Sequence, residues 1–370
     1  MIFRKRTYIS SGSLSSLAWR RFKKSKPGMF SLIFIGFVTL IAIAGYLLTP
    51  DSTPFSNEQY LELGLKKPGF TVTCLQVIKD PPVAKTGFIS KMLWGAPAIA
   101  DLIPVSTYSI KNGLVYYSEY ADGGPADEIN QKSIPEKKVK RIITKRFWLG
   151  TDRFGRDYLS QLMIGARVSL SVGFISVFIS LVIGILVGAL GGFYRGWIDN
   201  IIVWFINVIW SIPTLLLVIA ITFALGKGFW QVFVAVGLTM WVEVARVVRG
   251  QVLSVREKEY VEAGRALGFS DFRIIIGHVL PNVMAAVIII SAANFASAIL
   301  MEAGLSFLGL GVQPPVPSWG SMMKENYGYI VLDYSYLAIL PGIAILLLVL
   351  AFMLIGNSLR DAMDVKSSEI

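Results

Sequence analysis

Thiols, imidazoles and charges are scarce in this sequence. Its 370 residues include one cysteine, Cys74, and one histidine, His278. A lone cysteine leaves no internal disulfide framework, and a lone histidine cannot build a multi-histidine metal site. Asp, Glu, Lys and Arg together make up 16% of the chain, where a soluble domain carries about a quarter. A phosphate loop of the form G-x-x-x-x-G-K-[ST] is missing as well. Gly226–Lys227 has neither the upstream glycine nor a following Ser or Thr. Any ATP chemistry must therefore come from another chain.

Apolar residues fill the space, at 54% of the chain and a mean hydropathy of +0.61. They gather in runs near 20 residues, the length that crosses a bilayer as a helix. Six such runs are predicted: Gly28–Leu48, Val168–Gly192, Ile201–Leu225, Phe229–Val248, Pro281–Leu308 and Tyr336–Asn357. The net charge of +11 is spread unevenly between them. Arg4, Lys5, Arg6, Arg20, Arg21, Lys23, Lys24 and Lys26 precede the first span. Arg195 lies between spans two and three. Arg246, Arg249, Arg256, Lys258, Arg265 and Arg273 cluster after span four, and Arg360 and Lys366 follow span six. The short loops on the other side hold only Lys227 and Lys324. This is the positive-inside pattern, and it places both termini in the cytoplasm. A basic nucleic-acid surface would not produce that alternation, so no nucleic-acid partner is expected. Span one is too long and too late for a cleaved signal, and is read as a retained anchor.

Residues 1–27 form a basic cytoplasmic lead. Leu14, Leu17, Ala18, Arg21 and Phe22 recur at helical spacing, which suits a helix on the anionic inner leaflet better than a disordered tail. Residues 28–49 are the first span. Residues 50–150 are an extracytoplasmic insertion too long for a plain loop. Gly69–Val72 and Gly113–Tyr117 look like strands and Asp122–Gly123–Gly124–Pro125 like a turn, so a small mixed domain is expected there. Residues 151–365 hold the remaining spans. The fold class is thus all-α and polytopic, with six transmembrane helices and that mixed insertion.

The charged loop 249–280 carries the strongest local pattern. Ser254 and Glu257 have the S-x-x-E spacing of a capping box, from which a helix can run to Leu267. Gly268 suits a left-handed C-cap. Ser270 can cap a second helix with Asp271 in its first turn, and Pro281 then opens the next span. Ala263 and Gly264 leave a low surface for a partner, with the Glu262 charge beside it. An ordinary amphipathic loop between spans fits the same residues.

Glu262-Ala263-Gly264-x-x-x-Gly268, followed by Leu280-Pro281, resembles the docking loop of ABC importer permeases, where an E-A-A run precedes a glycine and later an L-P pair. Gly264 stands for the second alanine and His278 for a common isoleucine. Gly277-His278-Val279-Leu280-Pro281-Asn282 is similar to the dipeptide and oligopeptide branch. Three further segments resemble that branch: Leu149–Asp157 with its L-G-T-D-x-x-G-R-D order, Glu302–Gly311 with Pro314–Gly320, and Ser15–Lys26. The likeness covers residues 14–49 and 147–365. It implies a type I importer permease in the bacterial inner membrane, the C-type member of a pair. It also implies a second homologous permease subunit, two ATP-binding subunits that bind ATP and magnesium, and an extracytoplasmic solute-binding protein. This chain itself would bind no cofactor. Peptides are the implied substrate, with nickel complexes, glutathione or another small solute as alternatives. Other readings are an ATP-independent channel or secondary transporter, which would favour inverted repeats, and an intramembrane enzyme. The lone His278 at a membrane edge counts against the latter.

Other polar residues have two readings each. Asp152, Arg153, Arg156 and Asp157 are better explained as a solvated turn than as a catalytic carboxylate pair, because no nucleophile accompanies them. Glu302, near the outer end of span five, is either functional or faces water. Asn207 and Asn294 line the pathway or bond a neighbouring helix, packing being the simpler role. Pro213 should kink span three. Glycines 184, 188, 191 and 192 give span two a face for close helix packing. No catalytic or metal residue is expected.

Overall fold

The computed structural model describes residues 14–80, 86–121, 131–226 and 228–363. Arg4, Lys5, Arg6, Lys227, Lys366 and the turn expected at Asp122–Pro125 lie outside them. The helices are α1 (Leu14–Lys24), α2 (Lys26–Leu48), α3 (Phe88–Trp94), α4 (Tyr158–Tyr194), α5 (Gly196–Trp210), α6 (Thr214–Leu225), α7 (Phe229–Arg256), α8 (Glu259–Ala266), α9 (Asp271–Ile274), α10 (Leu280–Phe307), α11 (Trp319–Asn326) and α12 (Tyr336–Met363). The strands are β1 (Phe70–Ile78), β2 (Ala100–Lys111), β3 (Leu114–Glu119), β4 (Lys132–Pro135) and β5 (Val139–Phe147).

Among the described residues, five helices are long and apolar enough to cross a membrane, and the spans number six if α5 and α6 count as one. The kink expected at Pro213 is a full break. α5 ends at Trp210, α6 starts at Thr214, and the two axes differ by 90°. Pro213 adopts φ −55° and ψ 124°. It has no N–H to continue the ladder, so the helix restarts rather than bends.

The chain divides into two compact units. The first comprises Met1–Phe37, Val172–Glu302 and Ile345–Ile370. Its core is a seam in which α4 presents glycine to α7. A Cβ on Gly184 would lie 2.5 Å from Val244 Cβ, one on Gly188 2.5 Å from the Ala245 carbonyl oxygen, and one on Gly192 2.8 Å from the Arg249 carbonyl oxygen. The backbones approach where side chains are absent, as small residues permit between membrane helices. Ala189, Phe193, Val244, Val248, Val252, Val261 and Ile274 continue this core toward α8 and α9. On α1, Phe22 is 2% exposed while Trp19 stays outside, stacked on the Phe22 ring at 5.7 Å.

The second unit comprises Val38–Ser171 and Ala303–Ala344. Its sheet is antiparallel with order β4-β3-β2-β1-β5. Asn112 and Gly113, both at positive φ, join paired Lys111 and Leu114. Two residues of that kind make the primed turn that matches strand twist. Alternation along β1 sends Cys74 into a cluster with Tyr60, Leu63, Val72 and Phe147, and Leu75 into another with Val105, Val115 and Tyr117. The Cys74 thiol is 1% exposed, and burial pushes its pKa up to about 11. In the same unit, Arg167 of α4 donates to the carbonyls of Ala42 and Ile43 on α2 and of Met92 and Leu93 on α3, at 2.5–3.1 Å.

Residues 151–157 correct an expectation. The turn is not solvated: Asp152, Arg156 and Asp157 are 3%, 8% and 2% exposed. Asp152 accepts from the backbone N–H of Phe154 and Arg156 and pairs with the Arg156 guanidinium at 2.6 Å. Arg156 reaches on to Glu325 at 2.9 Å. Asp157 accepts from the Ser160 N–H and hydroxyl, which starts α4 ten residues before the expected Val168. Burial holds the Asp157 carboxyl above its ordinary range. Asp152 and Arg156 satisfy each other inside this enclosure, whereas Asp157 Oδ2 has no hydrogen-bond partner among the described residues, so its desolvation goes uncompensated.

Candidate functional site

Loop 249–280 is built differently at its start from the expected pattern. Ser254 lies inside α7, which continues to Arg256, so Ser254 and Glu257 form no capping box. α8 begins after Lys258 without a side-chain cap. Glu259 and Glu262 fall in its first turn and Arg265 in its last, both favoured by the helix dipole. Glu257 stays outside, bonded to Arg195, which lowers its carboxyl pKa.

The turn after α8 matches its sequence signal. Gly268 has φ +76°. The Phe269 N–H donates to the Gly264 carbonyl at 3.1 Å and the Gly268 N–H to that of Arg265 at 2.9 Å. Those two bonds define a Schellman closure. The Ser270 hydroxyl then accepts from the Arg273 N–H at 3.4 Å and starts α9.

The two small residues face opposite ways. Glu262 and Ala263 are exposed, whereas Gly264 is buried, 3.7 Å from Ile274 and Phe269 side-chain atoms for an added Cβ. Gly264 therefore lets α8 sit close to α9 and does not add to the outer low surface. Val261 is fully buried beside it. His278 stacks on Phe269, with centroids 6.2 Å apart. Pro281 does not open a helix. Residues Asp271–Phe307 run as one helical segment with a π turn at Ile275–Val279. The wider turn accommodates a residue that lacks an N–H and crowds the preceding turn. Leu280 is half-buried and Pro281 exposed.

Four apolar side chains on this loop escaped the sequence reading. Tyr260, Leu267, Phe272 and Ile276 are 44%, 73%, 72% and 49% exposed. Their signal was an apolar residue wherever a charged loop needed none. Arg265, itself exposed, braces the loop against α4, with its guanidinium 5.2 Å from the Phe193 ring at the end of that helix. An acid, a small residue and exposed apolar knobs on a braced two-helix turn can bind a protein surface. They offer no nucleophile or general base.

The intramembrane candidates separate. Asn207 is exposed on α5. Asn294 is 1% exposed, and among the described residues neither side-chain atom has a hydrogen-bond partner. Glu302 is fully buried, which removes the water-facing alternative. Pro213 sits at the helix break. Two charged residues inside α7, Glu243 and Arg246, are exposed and were missed. Arg246 had been counted only as cytoplasmic charge, although Glu243 one turn earlier lies on the same face.

Residues 180–367 match the family model described as "Binding-protein-dependent transport system inner membrane component", and residues 13–68 match "N-terminal TM domain of oligopeptide transport permease C". The dipeptide transport system permease protein DppC of Alkalihalophilus pseudofirmus is 36% identical over 272 residues, covering 73% of this chain and 86% of that protein. The glutathione transport system permease protein GsiD of Pectobacterium atrosepticum is 41% identical over 219 residues, covering 59% of this chain and 72% of that protein. A solved structure of the MetNI methionine ABC transporter, described as inward facing, aligns at 21% identity and a TM-score of 0.46, covering 55% of this chain and 97% of that one.

Proposed function

Because this chain belongs to the binding-protein-dependent transport system inner membrane components, in the peptide-type ABC importer branch, we propose that it forms half of a translocation pathway for short peptides, beside a second homologous permease. It is a transport subunit, and hydrolysis belongs to separate ATPase subunits. Two of these sit on the cytoplasmic face, one of them docked on loop 249–280, and a solute-binding protein delivers substrate from outside. Glu262 supplies a charge at that dock and Ala263 a close approach. Gly264 and Gly268 set the turn, and Leu280–Pro281 joins it to α10. Both termini lie in the cytoplasm. ATP and magnesium are bound by the partners. Glutathione, itself a peptide, is the nearest alternative substrate, given the GsiD likeness; nickel is a more distant one.

The observation that carries this reading is the Schellman-closed loop with Leu267 and Phe272 outside it, on a chain of this family. Such apolar exposure next to charge marks a binding surface. The test is co-expression with the second permease, both ATPases and the binding protein, then reconstitution into vesicles. Uptake of L-alanyl-L-alanine that depends on ATP and binding protein is expected. A complex that forms without ATPases, or imports no peptide, refutes the reading. Orientation is checked separately with Thr107→Cys, an exposed sheet position. An impermeant thiol reagent should label it in intact spheroplasts, whereas buried Cys74 stays silent. Labelling only after permeabilisation reverses the topology.

A further inference from the structure

α7 is the exception among the long apolar helices. Among the described residues it is the least apolar of the five long helices, yet the most deeply buried of them. Its exposed side accounts for the difference. Between Phe174 and Leu190 of α4 every exposed side chain is apolar: Phe174, Phe178, Val182, Leu186 and Leu190. Hydrocarbon accepts such a stripe. On α7 the exposed line runs Glu243, Arg246, Gly250 and Ser254, spacings that share one helical face. Charges inside a spanning segment turn to a water-filled cavity or to protein, because hydrocarbon penalises them.

Among the described residues no salt bridge joins Glu243 or Arg246 to another group. Arg246 instead places its guanidinium 3.3 Å over the ring of Trp210. Trp210 is the last residue of α5, at the 90° break before α6. Irregular backbone at membrane depth is stable only where protein covers it or it lines a cavity. Broken helices of this kind build the substrate sites of transporters. An exposed acid and base, an aromatic face and a helix break therefore meet in one place.

We propose that Glu243 and Arg246, with Trp210 and the turn Ser211–Pro213, are this chain's half of a substrate station that holds both termini of a zwitterionic peptide. This rests on the peptide-permease reading and deepens it. The Glu243 carboxylate takes the α-ammonium. The Arg246 guanidinium, a planar fork suited to carboxylates, takes the C-terminal carboxylate. Residues three apart on a helix have Cβ atoms about 5–6 Å apart, and an extended dipeptide spans about 7 Å. The two charges thus match the two ends of the smallest peptide.

The test uses the full reconstituted complex. Cys74 is the chain's only cysteine and is buried, so Glu243→Cys, Arg246→Cys and the control Phe178→Cys can be read on this chain's own band without background from Cys74. A sulfonate-bearing methanethiosulfonate should label the first two and spare the third, and binding protein loaded with L-alanyl-L-alanine should slow the labelling. Glu243→Gln and Arg246→Gln should each lower peptide moved per ATP hydrolysed about tenfold. The second permease should still co-purify, and Glu243→Asp should recover most of the loss. Absent labelling, or loss of the second permease from either glutamine variant, would make the pair a subunit contact and overturn the proposal. Labelling with unchanged uptake in both glutamine variants also overturns it. A parent complex that labels but imports no alanyl-alanine removes the peptide reading itself. That outcome is scored on the parent, apart from any variant.

Discussion

α4 is secured in opposite ways at its two ends. Its lead, residues 151–161, is held by directional polar bonds: the buried ion pairs of Asp152 with Arg156 and Arg156 with Glu325, and the hydrogen bonds that Asp157 accepts from Ser160. Its later turns are held by the absence of side chains, at Gly184, Gly188 and Gly192 against α7. The lead lies outside the apolar run, where polar groups compete with water and must be enclosed and satisfied. The seam lies within it, where no water drives association and contact distance decides the energy. The same helix thus needs directional bonds at one end and proximity at the other.

The largest test of that contrast is Gly188→Leu. Its Cβ would fall 2.5 Å from the Ala245 carbonyl oxygen and 2.9 Å from Val248 Cβ, backbone and β-branched neighbours with no room to yield. Overpacking by a methylene or two costs about 1–3 kcal/mol, and a whole leucine side chain against backbone forces the two helices apart, so little assembled permease is expected after solubilisation and gel filtration. Arg156→Ala should come next. It strands Asp152 and Glu325, and removing one partner of a buried pair costs about 3 kcal/mol. Thermal unfolding in detergent should shift down sharply, and Arg156→Lys, which loses the forked geometry, should recover only part.

Gly268→Ala is smaller. A non-glycine residue at φ +76° costs about 1 kcal/mol, so assembly with the second permease should persist. Hydrolysis stimulated by loaded binding protein should fall relative to parent, and Glu262→Lys should do the same through charge. If both variants keep full stimulation and uptake, loop 249–280 is not the dock. Asp157→Asn is the subtlest. Burial raises the Asp157 pKa above its ordinary 3.8. A raised folded-state pKa favours the protonated fold, so this contribution is present below the ordinary value and is lost as pH rises through the raised one. At neutral pH the charge is a cost that Ser160 only offsets. Asparagine keeps an oxygen for Ser160 and removes the charge. The variant should therefore be no less stable than parent at neutral pH and should lack this group's pH dependence in thermal melts.

Sequence legibility followed the solvent. In the sheet, one side chain per face alternates, so the segments starting at Gly69 and Gly113 were visible as strands, and Asn112–Gly113 sits at the turn between β2 and β3. In the spans, hydropathy revealed the segments but hid their faces, because lipid-exposed and buried positions are equally apolar. Gly268 was legible because a left-handed cap has few substitutes. Ser254 misled because a capping box and the last turn of a continuing helix share the same spacing. Pro213 announced a defect but not its size, which depends on whether neighbours can hold the chain through a right angle. Arg156 looked solvated because two of its partners, Asn57 and Glu325, lie far away in sequence. Glu243 was passed over because a charge near the end of a span reads first as topology.

Arg167 adds an order of events. It is 125 residues from Ala42 and 74 from Leu93, so a ribosome makes both α2 and α3 well before the residue that joins them. During that interval the strands of residues 70–147 have emerged with their own turn and clusters, and antiparallel neighbours such as β2 and β3 can pair locally. α2 must wait in the bilayer without its guanidinium tether until α4 follows. The insertion is thus positioned to fold before the helices around it are locked, and α4 closes the assembly behind it.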